Sequence, residues 1–127
     1  MDIIRYNGTD DTPEIILDRS RNRFEFFGRS LPEDANEFYD PILKWFEEYI
    51  KNPNRDTLII FKMDYFNTAT SKKFHKIFHS LEELHRQKKN IMIHWHYLEI
   101  DEDMMEAGQA FSEMVLVPFK IVSYSGY

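Results

Sequence analysis

Near the middle of the chain the period of its hydrophobic positions changes. Thr57-Leu58-Ile59-Ile60-Phe61-Lys62-Met63 is short, mostly apolar and β-branched, which predicts a central strand covered on both faces. From Phe74 the spacing lengthens to three and four. Phe74, Ile77, Phe78, Leu81, Leu84 and His85 then mark one face of a helix that closes over Gln87 to Asn90. Between strand and helix lies a hydroxyl-rich turn, Asp64-Tyr65-Phe66-Asn67-Thr68-Ala69-Thr70-Ser71-Lys72.

The flanks carry weaker versions of both periods. Ile3 to Tyr6 reads as a short strand closed by Asn7-Gly8, and Thr9 to Pro13 as a turn. Glu14 to Asp18 and Arg23 to Phe27 read as a hairpin with a polar loop. Ser30-Leu31-Pro32-Glu33 has the S-x-x-E spacing of a capping box, with Pro32 suited to a first helical turn. Phe38, Ile42, Trp45, Phe46 and Tyr49 continue that helix to Asn52-Pro53-Asn54, and Pro41 within it predicts a kink or a later start. Ile91 to Trp95 reads as a strand, Asp101 to Met114 as a helix with an acidic first turn, and Phe119 to Val122 as a last strand. The order is that of an α/β fold: one layer of mixed sheet against helices, joined by right-handed crossovers.

A length of 127 residues fits one domain, residues 1–127, and 43% hydrophobic content with 16% aromatic residues is enough for a core. Without cysteine there is no disulfide or thiolate chemistry. The amino-terminal stretch lacks a signal-peptide pattern and no apolar run is long enough for a membrane helix, so the expected location is the cytoplasm. A net charge of −6 argues against nucleic-acid binding. Cations are nevertheless concentrated at Lys72, Lys73, Lys76, Arg86, Lys88 and Lys89, against Glu82 and Glu83 in the same stretch.

Catalytic patterns are sparse. His75 and His79 would share a helix face, and His94 and His96 a strand face, so a small metal-dependent enzyme is one reading; there is no H-E-x-x-H. The acidic stretch from Glu99 to Glu106 lacks calcium-loop spacing. No P-loop, G-x-G-x-x-G or G-x-S-x-G occurs, and no cofactor is implied.

The turn before the long helix is different in kind. A single cap at Asn67 or Thr68 would satisfy the helix start, yet Asn67, Thr68, Thr70 and Ser71 can all hydrogen-bond and Lys72 and Lys73 follow. Cations at this end oppose the helix dipole and reinforce its attraction for an anion. A phosphoryl group here would meet backbone N–H groups, the positive helix end and ammonium groups together. The turn is therefore a candidate phosphoacceptor as well as a cap.

Tyr65-Phe66-Asn67-Thr68-Ala69-Thr70-Ser71-Lys72, preceded by Phe27-Gly28-Arg29-Ser30-Leu31-Pro32-Glu33-Asp34 and Phe38-Tyr39-Asp40-Pro41-Ile42-Leu43-Lys44-Trp45, resembles the SiaC family of bacterial regulatory phosphoproteins. Gly8-Thr9 with Thr12-Pro13 looks like that family's opening, and the likeness runs from about residue 3 to about Arg86. The resemblance implies a fold similar to STAS domains of the anti-sigma-factor-antagonist type, and a non-enzymatic partner switch. It also implies that Thr68, in Y-F-N-T, is the phosphoacceptor. By that likeness a cognate Ser/Thr kinase modifies it, a PPM-type phosphatase resets it, and the unmodified form activates a diguanylate cyclase, controlling cyclic di-GMP and biofilm or aggregation.

Thr70 stands where Ser is more usual, leaving a second possible acceptor. The expected partner surface comprises Tyr65, Phe66, Asn67, Thr70 and Ser71 with an exposed helix side at Lys72, Lys73 and Lys76; Arg29 and the Leu31-Pro32 edge are further candidates. An unmodified interaction module is the third reading.

Overall fold

The computed structural model describes residues 1–126; Tyr127, the last residue of the expected domain, lies outside the described residues. Its elements are β1 (Ile4–Tyr6), β2 (Glu14–Asp18), β3 (Arg23–Ser30), α1 (Ala35–Tyr49), β4 (Asp56–Phe66), α2 (Thr68–Arg86), β5 (Asn90–Leu98), α3 (Glu102–Met114) and β6 (Phe119–Tyr124). The six strands form one sheet in chain order. The first three pair antiparallel, and β3 to β6 pair parallel with one helix in each connection. This is the mixed α/β sheet that the pattern predicts.

One face of the sheet carries the core. Cross-strand rows place Leu17, Phe24, Ile59 and Ile93 together, and Ile15, Phe26, Phe61 and Trp95 beside them. All eight side chains are buried. Phe24 meets Trp45 and Tyr49 of α1, Phe61 meets Phe74 and Phe78 of α2, and Trp95 meets Phe111 of α3. The helices therefore cover the same face, and burial of these aromatic rings is the main stabilising term.

The expectation that β4 is covered on both faces does not hold. Thr57, Ile59, Phe61 and Met63 are buried, whereas Leu58 and Lys62 are exposed and Ile60 is half-buried. Its apolar outward residues Leu58 and Ile60 disguised a two-layer alternation as a buried run.

The open face carries Glu25, Ile60, His94 and Lys120 in one row, and Phe27, Lys62, His96 and Val122 in the next. Partial burial holds both imidazoles below their ordinary pKa, helped by Lys120 at His94, and by His94 and Lys62 at His96. The Nε2 of His96 has no hydrogen-bond partner among the described residues. A base whose folded pKa lies below its unfolded value binds fewer protons when folded. Stability is then complete above the unfolded pKa of 6.5 and is lost as pH falls through the folded values. The melting temperature is expected to drop between about pH 7 and pH 5, and His96→Gln to flatten that slope in thermal melts.

The capping box at Ser30 also fails. Ser30 ends β3 and is buried, and α1 begins at Ala35, where Asp34 accepts the Glu37 N–H at 3.1 Å. Asp34-Ala35-Asn36-Glu37 repeats the same spacing four residues on, and the parallel pairing of Ser30 with Phe66 keeps Ser30 in the sheet. Pro41 lies inside α1, and the helix runs on through it to Tyr49.

Candidate functional site

The carboxyl end of β4 is built by a bulge. Pairing with β3 jumps from Gly28↔Met63 to Arg29↔Tyr65, so Asp64 is one extra residue on β4. Gly28 adopts φ +102° there, a conformation in which a side chain would be strained. The insertion reverses the alternation of faces: Tyr65 turns outward and is 44% exposed, and Phe66 turns in against Phe74, Trp95 and Phe111. The strand thus ends anchored by Phe66, whose ring packs inward where the expected partner surface would have it face out. The guanidinium of Arg29 lies 5.4 Å from the centre of the Tyr65 ring, while its Nε donates to the Asp10 carbonyl.

Asn67 is the N-cap of α2. Its backbone is extended (φ −89°, ψ 176°), its side-chain oxygen accepts the Thr70 N–H at 2.9 Å, and its carbonyl accepts the Ser71 N–H at 2.9 Å. Among the described residues the Thr68 and Ala69 amides, the remaining donors of the first turn, meet no acceptor outside the helix. Thr68 is the first helical residue and is exposed. Its hydroxyl sits at the positive end of a 19-residue helix whose first turn holds no acidic side chain.

Thr70 has a different role. It is fully buried, so its hydroxyl is not presented at the surface as a second acceptor would need. Its Oγ1 lies 2.8 Å from Ser30 Oγ and donates to the Ser30 carbonyl at 3.1 Å; Ser30 Oγ lies 2.6 Å from the Tyr39 hydroxyl. The Asn67 N–H donates to the same Ser30 carbonyl at 3.0 Å. Three buried hydroxyls and one carbonyl thereby tie β3, α1 and the turn together. Burial pushes the Tyr39 phenol well above its ordinary range, against the lowering effect of the Ser30 and Thr70 hydrogen bonds, so it stays a neutral partner in this network. Thr70→Val is expected to cost about 1–3 kcal/mol in urea unfolding, and Thr70→Ser much less, because only the first leaves buried hydrogen-bonding groups unpaired.

The cations divide in the same way. Lys72 and Lys76 are exposed, and Ser71 is half-buried. Lys73 corrects the expected exposed side: it is 8% exposed, and its Nζ donates to Asn36 Oδ1, pinning α2 to α1. Neither Lys72 nor Lys76 takes part in an ion pair among the described residues. Sequence reasoning missed Ser30 and Tyr39 as supports of the turn. No linear signal joins positions 30, 39 and 70.

The histidine pairs do not converge. His75 and His79 stack along α2 with ring centres 6.4 Å apart, and His94 and His96, 6.1 Å apart, lie on the open face. His79 Nδ1 pairs with Glu82 Oε1 at 2.9 Å, while Glu82 Oε2 accepts the Leu116 N–H. Among the described residues no three His, Asp or Glu side chains are grouped to hold a metal ion.

The family model for SiaC regulatory phosphoproteins matches residues 6–124. The chain belongs to the SiaC family. A protein of Pseudomonas aeruginosa strain UCBPP-PA14 is 29% identical over 117 residues, covering 92% of this chain and 93% of the relative. The crystal structure of apo-SiaC from P. aeruginosa is similar with a TM-score of 0.87 at 28% identity, covering 96% of this chain and 99% of that one. A chain in the crystal structure of the diguanylate cyclase SiaD in complex with its activator SiaC, from the same organism, is similar with a TM-score of 0.89 at 28% identity. That match covers 95% and 99% of the two chains. The fold is thus that of SiaC structures, extending beyond Arg86, where the motif likeness faded, through α3 and β6. Among the described residues no helix is long and apolar enough to cross a membrane.

Proposed function

We propose that this SiaC-family protein is a non-enzymatic, cytoplasmic partner switch. Its unmodified form binds and activates a diguanylate cyclase, raising cyclic di-GMP and with it biofilm formation or aggregation. A cognate Ser/Thr kinase ends that state by phosphorylating Thr68, and a PPM-type phosphatase restores it. The observation that carries the reading is the exposed Thr68 hydroxyl at the open start of α2, next to a cap that Asn67 already supplies. A structural neighbour that is an activator in complex with a diguanylate cyclase supports the choice of partner.

The outward surface around Thr68 comprises Tyr65 under Arg29, the Asn67 turn, Ser71, and the cations Lys72 and Lys76. A phosphate on Thr68 brings about 1.5 to 2 negative charges and three acceptor oxygens into a contact that otherwise buries a neutral hydroxyl. Desolvating that dianion against a partner without a matching cation is costly, so the complex dissociates. The test is phosphorylation by the cognate kinase followed by intact-mass measurement on wild type and Thr68→Ala, with cyclase binding measured on each form. Phosphate incorporated equally by Thr68→Ala would move the switch to another residue.

A further inference from the structure

Halfway along α2, His75 and His79 stand one helical turn apart with their rings nearly parallel, 12° between planes and 6.4 Å between centres. Residues four apart on a helix share a face, with Cβ atoms about 5–6 Å apart. At about 100° per residue, the pair falls on the side of α2 turned away from Lys73, which holds α1. It lies beside Glu82, which holds the chain after α3.

His79 is fixed in the tautomer that a metal ion needs. Its Nδ1 lies 2.9 Å from Glu82 Oε1, and Glu82 Oε2 accepts the Leu116 N–H at 2.9 Å. An ionised carboxylate has no proton to offer, so the proton of the first bond sits on Nδ1. That leaves the Nε2 lone pair free on a side chain that is 71% exposed. Metal-binding imidazoles have this arrangement: a carboxylate on one ring nitrogen orients the ring and raises the basicity of the other. Glu82 is itself buried, and among the described residues no lysine or arginine pairs with it. Such a carboxylate gains from positive charge brought to the far side of the ring.

We propose that His75 and His79 chelate a divalent cation of the zinc class, with Glu82 positioning His79 and water completing the shell. Zinc–nitrogen distances of about 2.0–2.1 Å require the two ligating atoms to lie within about 4 Å of each other. Rotation of His75, which no ion pair holds among the described residues, closes the gap between the rings. Imidazole donors select zinc and its transition-metal neighbours over magnesium and calcium, which take oxygen. Lys72 and Lys76, exposed on the same helix, oppose the cation and keep the affinity modest. His94 and His96 are the poorer pair, since their rings are tilted by 44°, half-buried and flanked by Lys120 and Lys62. Binding at α2 reaches the fold through Glu82. A cation on Nε2 strengthens the Nδ1–H donor and so tightens the link from α2 to the Leu116 amide, between α3 and β6.

The experiment is a calorimetric titration of the untagged protein with zinc chloride, with thermal melts and histidine side-chain NMR spectra recorded with and without the ion. Wild type is expected to bind a single zinc per chain, to melt higher with it, and to show zinc-induced shifts confined to the His75 and His79 rings. His75→Ala and His79→Ala should each lose the saturable binding and the rise in melting temperature. Glu82→Gln keeps an acceptor for the Nδ1–H but not the charge, so it should retain the stoichiometry and bind about tenfold more weakly, measured below its own melting transition. His94→Ala/His96→Ala should bind as wild type. Absence of saturable binding by wild type, or wild-type binding by His75→Ala, overturns the proposal, as do shifts at His94 and His96 in place of His75 and His79. Wild-type affinity in Glu82→Gln would keep the chelate and remove the positioning role. The NMR comparison uses wild type alone, so it decides the site even if a substitution unfolds the chain.

Discussion

Thr68→Ala is expected to take up no phosphate from the cognate kinase while retaining the wild-type melting temperature and cyclase affinity. Thr68→Asp is expected to bind the cyclase at least about tenfold more weakly, a change of about 1.4 kcal/mol. The geometry separates these effects from damage to the fold. The cap is supplied by Asn67 and not by Thr68, and the Thr68 side chain is exposed, so truncation removes no buried contact. Alanine is also the better helix former. Aspartate at the first position of α2 lies at the positive end of the dipole, which stabilises it by about 0.3–1 kcal/mol. Thr68→Asp should therefore melt no lower than wild type, and its loss of binding reports on the interface. Intact mass, thermal melts and calorimetric titration of the same three proteins check each part.

Gly108→Ala is expected to destabilise the protein by about 3 kcal/mol or more, near or beyond the upper end for overpacked cores. In an exposed helix the same change would stabilise by about 1 kcal/mol, since glycine is the poorer helix former. Gly108 lies in the middle of α3 and is buried against Trp95: an added Cβ would come 2.3 Å from Trp95 Cδ1 and 2.7 Å from its Nε1. Both contacts are far inside van der Waals distance. The indole has no room to give, because it is fully buried, packed on Phe61 and Phe111, and donating to the Met104 carbonyl at 2.9 Å. Either α3 moves off the sheet or the indole loses its partner. Urea unfolding with a shifted midpoint and unchanged slope would give the magnitude. A gain in stability would mean that α3 does not sit on Trp95 as described.

Much of this fold was legible in the chain because its elements are strongly periodic. The α2 face from Phe74 to Leu84, the hairpin of β2 and β3, and the acidic start of α3 each follow from local pattern. A cap at Asn67 or Thr68 was legible for the same reason, and the structure gives it to Asn67. What was not legible depends on contacts across the sequence. Ser30 has the local signature of a cap, but pairing with Phe66 keeps it in the sheet and hands it to Tyr39 and Thr70. Lys73 reads as one more solvated cation until α1 brings Asn36 to it. The bulge at Asp64 is invisible in composition, yet it decides that Tyr65 faces out and Phe66 faces in. The hydroxyl-rich turn thus separates into two kinds of residue. Thr70 and Asn67 hold the turn, and Thr68 is presented by it.

The most direct measurement is a side-by-side titration of the purified diguanylate cyclase with the unmodified protein and with protein phosphorylated on Thr68, reading both binding and cyclic di-GMP production. The unmodified form should bind and stimulate the cyclase, and the phosphorylated form should bind at least about tenfold more weakly and stimulate little. Equal binding and equal stimulation by the two forms would contradict a switch at Thr68.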